Sequence, residues 1–172
     1  SKLFCENFHD AWLASCKYVD DCYGVKIEKE ADIVIASCGG YPKDINLYQS
    51  TKSIFNAARA VKKGGTVIFL AECREGGGAP DFFSWIDPLK RGVLDEELRA
   101  NFTIGGYIFY ALCEAIAKSD MLMLSEIDPN FVKDLNIDSY KNIDELLEKV
   151  DFEGKDVCIL PYGGSVVPLL QK

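Results

Sequence analysis

Hydrophobic positions along the chain follow two alternating patterns. Unbroken apolar, largely β-branched runs occur at Val25–Ile27, Asp32–Ser37 (DIVIAS), Thr66–Ala71 (TVIFLA), Met121–Ser125 (MLMLS) and, as the last, Val157–Leu160. Runs of this kind suit strands covered on both faces, as in a parallel sheet. Between them, apolar residues return every three or four positions, which is the helical period. The first helix is predicted over Phe4–Cys22, with Phe4, Phe8, Ala11, Trp12, Ser15 and Val19 on one face. The second is predicted over Ile45–Lys62, with Leu47, Thr51, Ile54, Phe55, Ala58 and Val61 inward. Gly64-Gly65 stands where a C-terminal cap would end it. Further helices are expected at Leu89–Ala100, at Tyr107–Lys118 after Gly105-Gly106, and at Ile143–Val150. ECREGGGAP (Glu72–Pro80) reads as a loop leading into the aromatic segment DFFSWI, whose Trp85 is assigned to core packing.

Strand and helix thus alternate from end to end. That order predicts an α/β fold: a mostly parallel sheet flanked by helices, in a single compact domain spanning residues 1–172. A chain of 172 residues with 48% hydrophobic residues can bury a proper core, about 70% of its unfolded surface at this size. No apolar run reaches the ~18 residues of a membrane span, and none is flanked like a signal peptide. The chain opens at Ser1 instead of Met and enters an amphipathic helix at once, as an excised or processed segment would.

Charge narrows the partners. The net charge is −8 and the pI about 4.7, with no cluster of Lys or Arg, so no nucleic-acid partner is expected. The seven cysteines are odd in number and scattered without a C-x-x-C pair, and only His9 stands near any of them. This argues against a metal site and against a disulfide framework, and for a reducing, cytoplasmic compartment. His9 itself reads as a surface or packing residue.

Candidate chemistry gathers at strand ends, since ligands of open parallel sheets bind beyond the carboxyl ends of the strands. Three glycine clusters follow predicted strands: Gly39-Gly40, Gly76-Gly77-Gly78 and Gly163-Gly164. The first lies in SCGGYPKDINLYQSTK (Ser37–Lys52), a glycine-rich turn opening a helix. Free amides at such a helix start, with the dipole behind them, would form an anion site. Asp44 or Asn46 could cap the helix, and an Asn46 cap could be completed by Gln49 in a capping box. Asp44 would oppose an anion, so Lys43 and Lys52 must offset it. Tyr48, Gln49 and Lys52 project from neighbouring parts of the first two turns. A hydroxyl, an amide and an ammonium together suit a small hydroxy-carboxylate; a solvated helix face is the alternative, open at this point. Glu72 and Arg74 either reach that pocket or form a local ion pair. Neither G-x-G-x-x-G after a strand nor G-x-x-x-x-G-K-[ST] is present.

ADIVIASCGGYPKDINLYQSTK, followed by AARAVKKGGTVIFLAECREGGG, closely resembles the C-terminal domain of the nickel-dependent lactate racemase family. The match is strong from Ala31 to Gly78 and looser through Leu122–Glu126 to the terminal PYGGSVVP. The resemblance implies racemisation or epimerisation of a 2-hydroxy acid by hydride transfer to and from a nickel pincer nucleotide. That cofactor would be held mainly by an N-terminal domain of the same protein, which also carries the acid–base histidines. Tyr48, Gln49 and Lys52 would then be the substrate-binding residues, with Lys52 on the carboxylate. Gly39, Gly40, Lys43, Gly76, Gly77, Gly163 and Gly164 would line the pocket. No catalytic residue, bound cofactor or metal is expected in this chain alone, which should be inactive by itself. Cys38 stands where relatives often have Pro, and no Trp occurs at Gly105–Tyr107, where some relatives place one facing the substrate. The alternative is a free-standing carboxylate-binding regulatory module that kept the fold and lost the chemistry.

Overall fold

Asn7 opens the first element of the structure, a computed structural model that describes residues 2–171. Its side-chain oxygen accepts from the amides of His9 and Asp10, starting helix α1 (Phe8–Tyr23). Strand β1 (Gly24–Ile27) follows, then β2 (Ala31–Ser37), helix α2 (Leu47–Ala60) and β3 (Val61–Leu70). A helical stretch comes next: α3 (Pro80–Phe83), α4 (Ile86–Lys90), α5 (Leu94–Ala100) and α6 (Ile104–Ile116). The chain closes with β4 (Asp120–Leu124), α7 (Pro129–Val132), β5 (Ile137–Tyr140), α8 (Ile143–Leu147), β6 (Val157–Leu160) and β7 (Val167–Leu170). Single 3₁₀ turns sit at Lys133–Leu135 and Gly163–Ser165.

Five strands form the main sheet in the order β5-β4-β3-β2-β6, all parallel, with Val34 opposite both Val67 and Cys158. The α/β prediction holds. Because successive strand residues face opposite sides, the unbroken apolar runs feed two cores. Val34, Val67, Phe69, Met121 and Met123 meet α2 and α6 on one face, in the larger core. Ile33, Ile68 and Leu122 meet Leu146 of α8 on the other. A separate pair, β1 with β7, is also parallel. No helix among the described residues is long and apolar enough to cross a membrane.

Several boundaries differ from the sequence reading, each for a physical reason. Helix α2 stops at Ala60, not at the glycines, because Val61 turns extended and pairs with Ala31. Gly64-Gly65 instead lies within β3, in a bulge where the pairing jumps from Ala31–Val61 to Ile33–Thr66. The helix predicted over Leu89–Ala100 is two helices broken at Gly92. Gly105 and Gly106 lie inside α6, which Thr103 caps; a Cβ on Gly106 would come within 2.5 Å of the Trp85 ring. That close approach is why glycine stands there, and it places Trp85 in packing as predicted. Strands β5 and β7 and helix α7 escaped the pattern: β5 (IDSY) is half polar, and β7 (VPLL) contains a proline. Val157–Leu160 is therefore not the last strand but one edge of the main sheet. The first helix begins four residues later than predicted and its apolar face is uncovered: none of its residues is buried.

Candidate functional site

From β2 the chain moves through β3 and β4 to β5 on one side, while β6 returns to the other side of β2. The switch point thus lies between the carboxyl ends of β2 and β6, where open α/β sheets leave a crevice. The turn after β2 meets the turn after β6 there. Gly39 (φ +88°) and Gly40 (φ +79°) take the left-handed conformation that glycine adopts without penalty, and the Gly39 amide donates to Ser37 Oγ at 3.0 Å. The Tyr41–Pro42 peptide that follows is cis.

Helix α2 starts from this turn, and its amides are already satisfied. Leu47 N donates to the Gly76 carbonyl (2.9 Å) and Tyr48 N to the Gly77 carbonyl (3.2 Å). Gln49 N donates to Asn46 Oδ1 (2.9 Å) and Ser50 N to the Asn46 carbonyl (3.1 Å). The expected backbone anion site is therefore corrected: the 76–77 loop and the Asn46 cap occupy the donors. Through these carbonyls Gly76 and Gly77 tie down the helix start. Nor does Gln49 complete a capping box, since its Oε1 accepts from Lys52 Nζ at 2.8 Å.

What the switch point does hold is a cavity of about 540 Å³ formed by Pro42, Lys43, Ile45, Gln49, Lys52, Ser53 and Gly164. Four predicted residues (Lys43, Gln49, Lys52 and Gly164) are brought together here. The others are not in its lining. Tyr48 packs edge-on against Phe82, with ring centroids 5.2 Å apart, and its hydroxyl makes no hydrogen bond among the described residues. Gly163 is buried, its carbonyl accepting from Asn56 Nδ2 at 2.7 Å. Gly40 belongs to a neighbouring depression with Asp44, and Gly39 lies against the Tyr162 ring. Sequence reasoning missed Pro42, Ile45 and Ser53. Ser53 was within reach, because it stands one turn beyond Gln49 on the same helical face.

The cavity is cationic without an internal counter-charge. Lys52 Nζ is held by the neutral Gln49 amide, and Lys43 Nζ by Ser165 Oγ at 2.9 Å. Neither lysine forms an ion pair among the described residues, and in this they resemble Lys17, Lys26, Lys63, Lys133, Lys149 and Lys155; what sets them apart is that they share one cavity. No carboxylate lines the cavity. Asp44, expected to oppose an anion, is buried beside it: Oδ2 accepts from the Glu72 amide at 3.3 Å, and Oδ1 has no partner.

Beneath the turn lies a buried polar layer of Cys38, Ser50, Ser53 and Cys73. Burial raises both thiols against the Ser50 hydroxyl's opposing effect, Cys73 to about 11, so both remain protonated near neutrality. Of the two readings left open for Glu72 and Arg74, the local ion pair does not form among the described residues and neither residue lines the cavity; Arg74 lies over the Tyr41 ring, 4.3 Å from its centroid. His9 is exposed on α1, far in sequence from the cavity, beside Asp10.

Residues 26–168 match the family described as the lactate racemase C-terminal domain. The chain belongs to that family. All the cavity's residues fall within the matched span, whereas α1 precedes it. The lactate racemase of Thermoanaerobacterium thermosaccharolyticum is 31% identical over 173 residues, covering 95% of this chain and 40% of that protein. The lactate racemase of Lactiplantibacillus plantarum is 26% identical over 175 residues, covering 95% and 41%. The chain thus spans about two fifths of the length of these curated relatives. In structure it is similar to the lactate racemase apoprotein from T. thermosaccharolyticum, with a TM-score of 0.77 at 29% identity over 92% of this chain and 40% of that one. A Thermotoga maritima protein shares the fold alone, with a TM-score of 0.60 at 12% identity over 95% of this chain and 43% of that one.

Proposed function

We propose that this lactate racemase C-terminal domain forms one wall of the substrate cleft of an enzyme that racemises or epimerises a 2-hydroxy acid. The observation that carries the reading is the convergence of Lys43 and Lys52 on one cavity at the switch point whose lining holds no carboxylate. Lys52 exchanges the neutral Gln49 oxygen for the substrate carboxylate, a gain in hydrogen-bond strength because both partners are then charged. Gln49, released, can turn its amide toward the substrate's hydroxyl. Tyr48 lies outside the cavity lining with its ring on Phe82, so its unpartnered hydroxyl is left to whatever part of the substrate extends beyond the cavity. Ser53 and Ile45 bound the cavity and keep the carboxylate in one orientation.

In the family that the chain resembles, a nickel pincer nucleotide supplies the hydride chemistry. The donors of this chain do not fit a nickel centre. Among the described residues no three His, Cys, Asp or Glu side chains converge, and Cys38 and Cys73 hold their protons. We therefore assign the cofactor and the acid–base groups to the N-terminal portion that the longer relatives carry, and give this domain substrate binding and orientation alone. On this reading the isolated chain binds a hydroxy-carboxylate but turns nothing over.

The test is Lys52→Ala in the full-length enzyme. Loss of a charge-assisted bond of about 1.5–3 kcal/mol should lower kcat/KM by roughly 10–100-fold. Unchanged kinetics would remove Lys52 from the cleft. The preformed cationic cavity also suits a non-catalytic carboxylate-binding module. Thermal shift of the chain with lactate, malate or phosphate tests the binding that both readings share, since a ligand selective for the folded state raises Tm, and turnover of a 2-hydroxy acid by the full-length protein separates them.

A further inference from the structure

Helix α1 carries an apolar face that nothing in this domain covers. Phe8, Trp12 and Val19 recur on one side of the helix and are 89%, 60% and 42% exposed, and exposed Tyr23 falls on the same side. No residue of the helix is buried. Single exposed apolar residues need no explanation, but two large exposed aromatics a turn apart on a helix that elsewhere (Ala14, Ser15, Tyr18) is only half-buried do.

The topology fixes where this face stands. Strand β6 runs parallel to β2, so the turn at Gly163–Ser165 lies at the carboxyl edge of the sheet, beside the cavity. Strand β7 starts two residues after Ser165, and its first residue, Val167, pairs with Gly24. Gly24 directly follows α1 and closes it, donating its amide to the Asp20 carbonyl. Helix α1 therefore joins the domain at the cavity's own edge, through the same turn whose Ser165 holds Lys43. It also lies outside the span that matches the C-terminal-domain family, yet the matches to the relatives cover 95% of the chain and only 40–41% of those proteins.

From these observations we infer that the apolar face of α1 is the docking face for the N-terminal portion of a lactate racemase-like parent protein. This rests on the proposed function, which places the opposite wall of the cleft in that portion. Docked there, α1 is a strut that sets the distance between the two walls: its foot is pinned by the β1–β7 pair and its Phe8–Trp12 face is seated on the other half.

Hydrogen exchange tests this on two proteins, the 172-residue chain and the full-length parent. A 16-residue helix with no buried residue has little tertiary packing to hold it in water, so its amides should exchange fast in the chain. In the parent they should exchange at least ~10-fold more slowly. Trp12→Asp in the parent should return them to the fast rate. Phe8→Asp should do the same, guarding against an effect peculiar to Trp12. Equal exchange in the two proteins overturns the inference. So does a dimer of the 172-residue chain in light scattering that Trp12→Asp dissolves, because the face would then serve a second copy. The Lys52→Ala kinetics separate the two ideas. A loss of kcat/KM with freely exchanging α1 leaves the cleft reading standing and removes the strut, and protected α1 with unchanged kinetics removes the cleft reading.

Discussion

Helices α1 and α2 look alike on paper. Each is opened by an asparagine whose side chain accepts from the first-turn amides, each runs for 14 to 16 residues, and each carries an apolar face at helical spacing. In the fold they have opposite fates. Seven residues of α2 are buried, and its start is fastened by Gly76, Gly77 and Asn46, while α1 buries none. The difference teaches that an amphipathic period specifies a helix and a face, not what covers the face. Where the cover lies within the domain, the face becomes core and can position chemistry on its rim, as α2 does with Gln49 and Lys52. Where it does not, the face is left for a partner.

The largest test of this contrast is Ile54→Ala in α2. Ile54 is fully buried between helix and sheet, so its truncation should cost about 2–5 kcal/mol by denaturant unfolding. A cost under about 1 kcal/mol would mean that α2 is no better packed than α1. Lys52→Ala comes next, with its roughly 10–100-fold loss in kcat/KM. Tyr48→Phe removes only the hydroxyl and keeps the ring on Phe82, so it should lower kcat/KM without shifting Tm. A fall in Tm with unchanged kinetics would instead make Tyr48 a packing residue.

Cap removal should separate the helices again. Asn46→Ala should cost about 1 kcal/mol, whereas Asn7→Ala should leave global unfolding of the chain almost unmoved, since α1 frays without unfolding the core. The cysteines divide the same way. Cys5, exposed ahead of α1, and Cys22, exposed in its last turn, should alkylate quickly, and Cys38 and Cys73, packed beside α2, only on unfolding. With Cys73 raised to about 11, the unfolded chain loses that proton from about pH 8.5 upward while the folded chain keeps it. Stability should therefore fall as pH rises from about 8.5 toward 11, and Cys73→Ala should lessen that slope, with Cys38, Cys113 and Cys158, also raised by burial, sustaining the rest. Smallest of all, Trp12→Ala in the 172-residue chain should shift stability by no more than about 0.5 kcal/mol; a larger loss would show that the domain does cover α1.

Much of this was legible in the residues. Continuous apolar runs marked β2, β3 and β4 because strands covered on both faces have no polar side to alternate with, and β6 carries such a run too although it is an edge strand with Val157 and Ile159 exposed. The glycine turn before α2 and the Lys52 face of that helix were legible because backbone conformation and helical spacing are local. Strands β5 and β7 were not, since a short edge strand with Asp, Ser or Pro draws its order from the neighbour it pairs with. The backbone anion site failed for a related reason. The carbonyls that consume the α2 amides come from Gly76 and Gly77, some thirty residues away, and no local pattern could place them there.

The sequence by itself determined the α/β order, the helix faces and the presence of lysines near a strand end, because all three follow from spacing along the chain. Only the tertiary structure decided that Lys43 from one turn and Gly164 from another share a cavity with Lys52, that Asp44 is tucked away from it, and that Tyr48 packs against Phe82. It alone decided that α2 is covered and α1 is not. Those outcomes depend on which surfaces meet across the fold, and a contact between distant segments leaves no period in either of them.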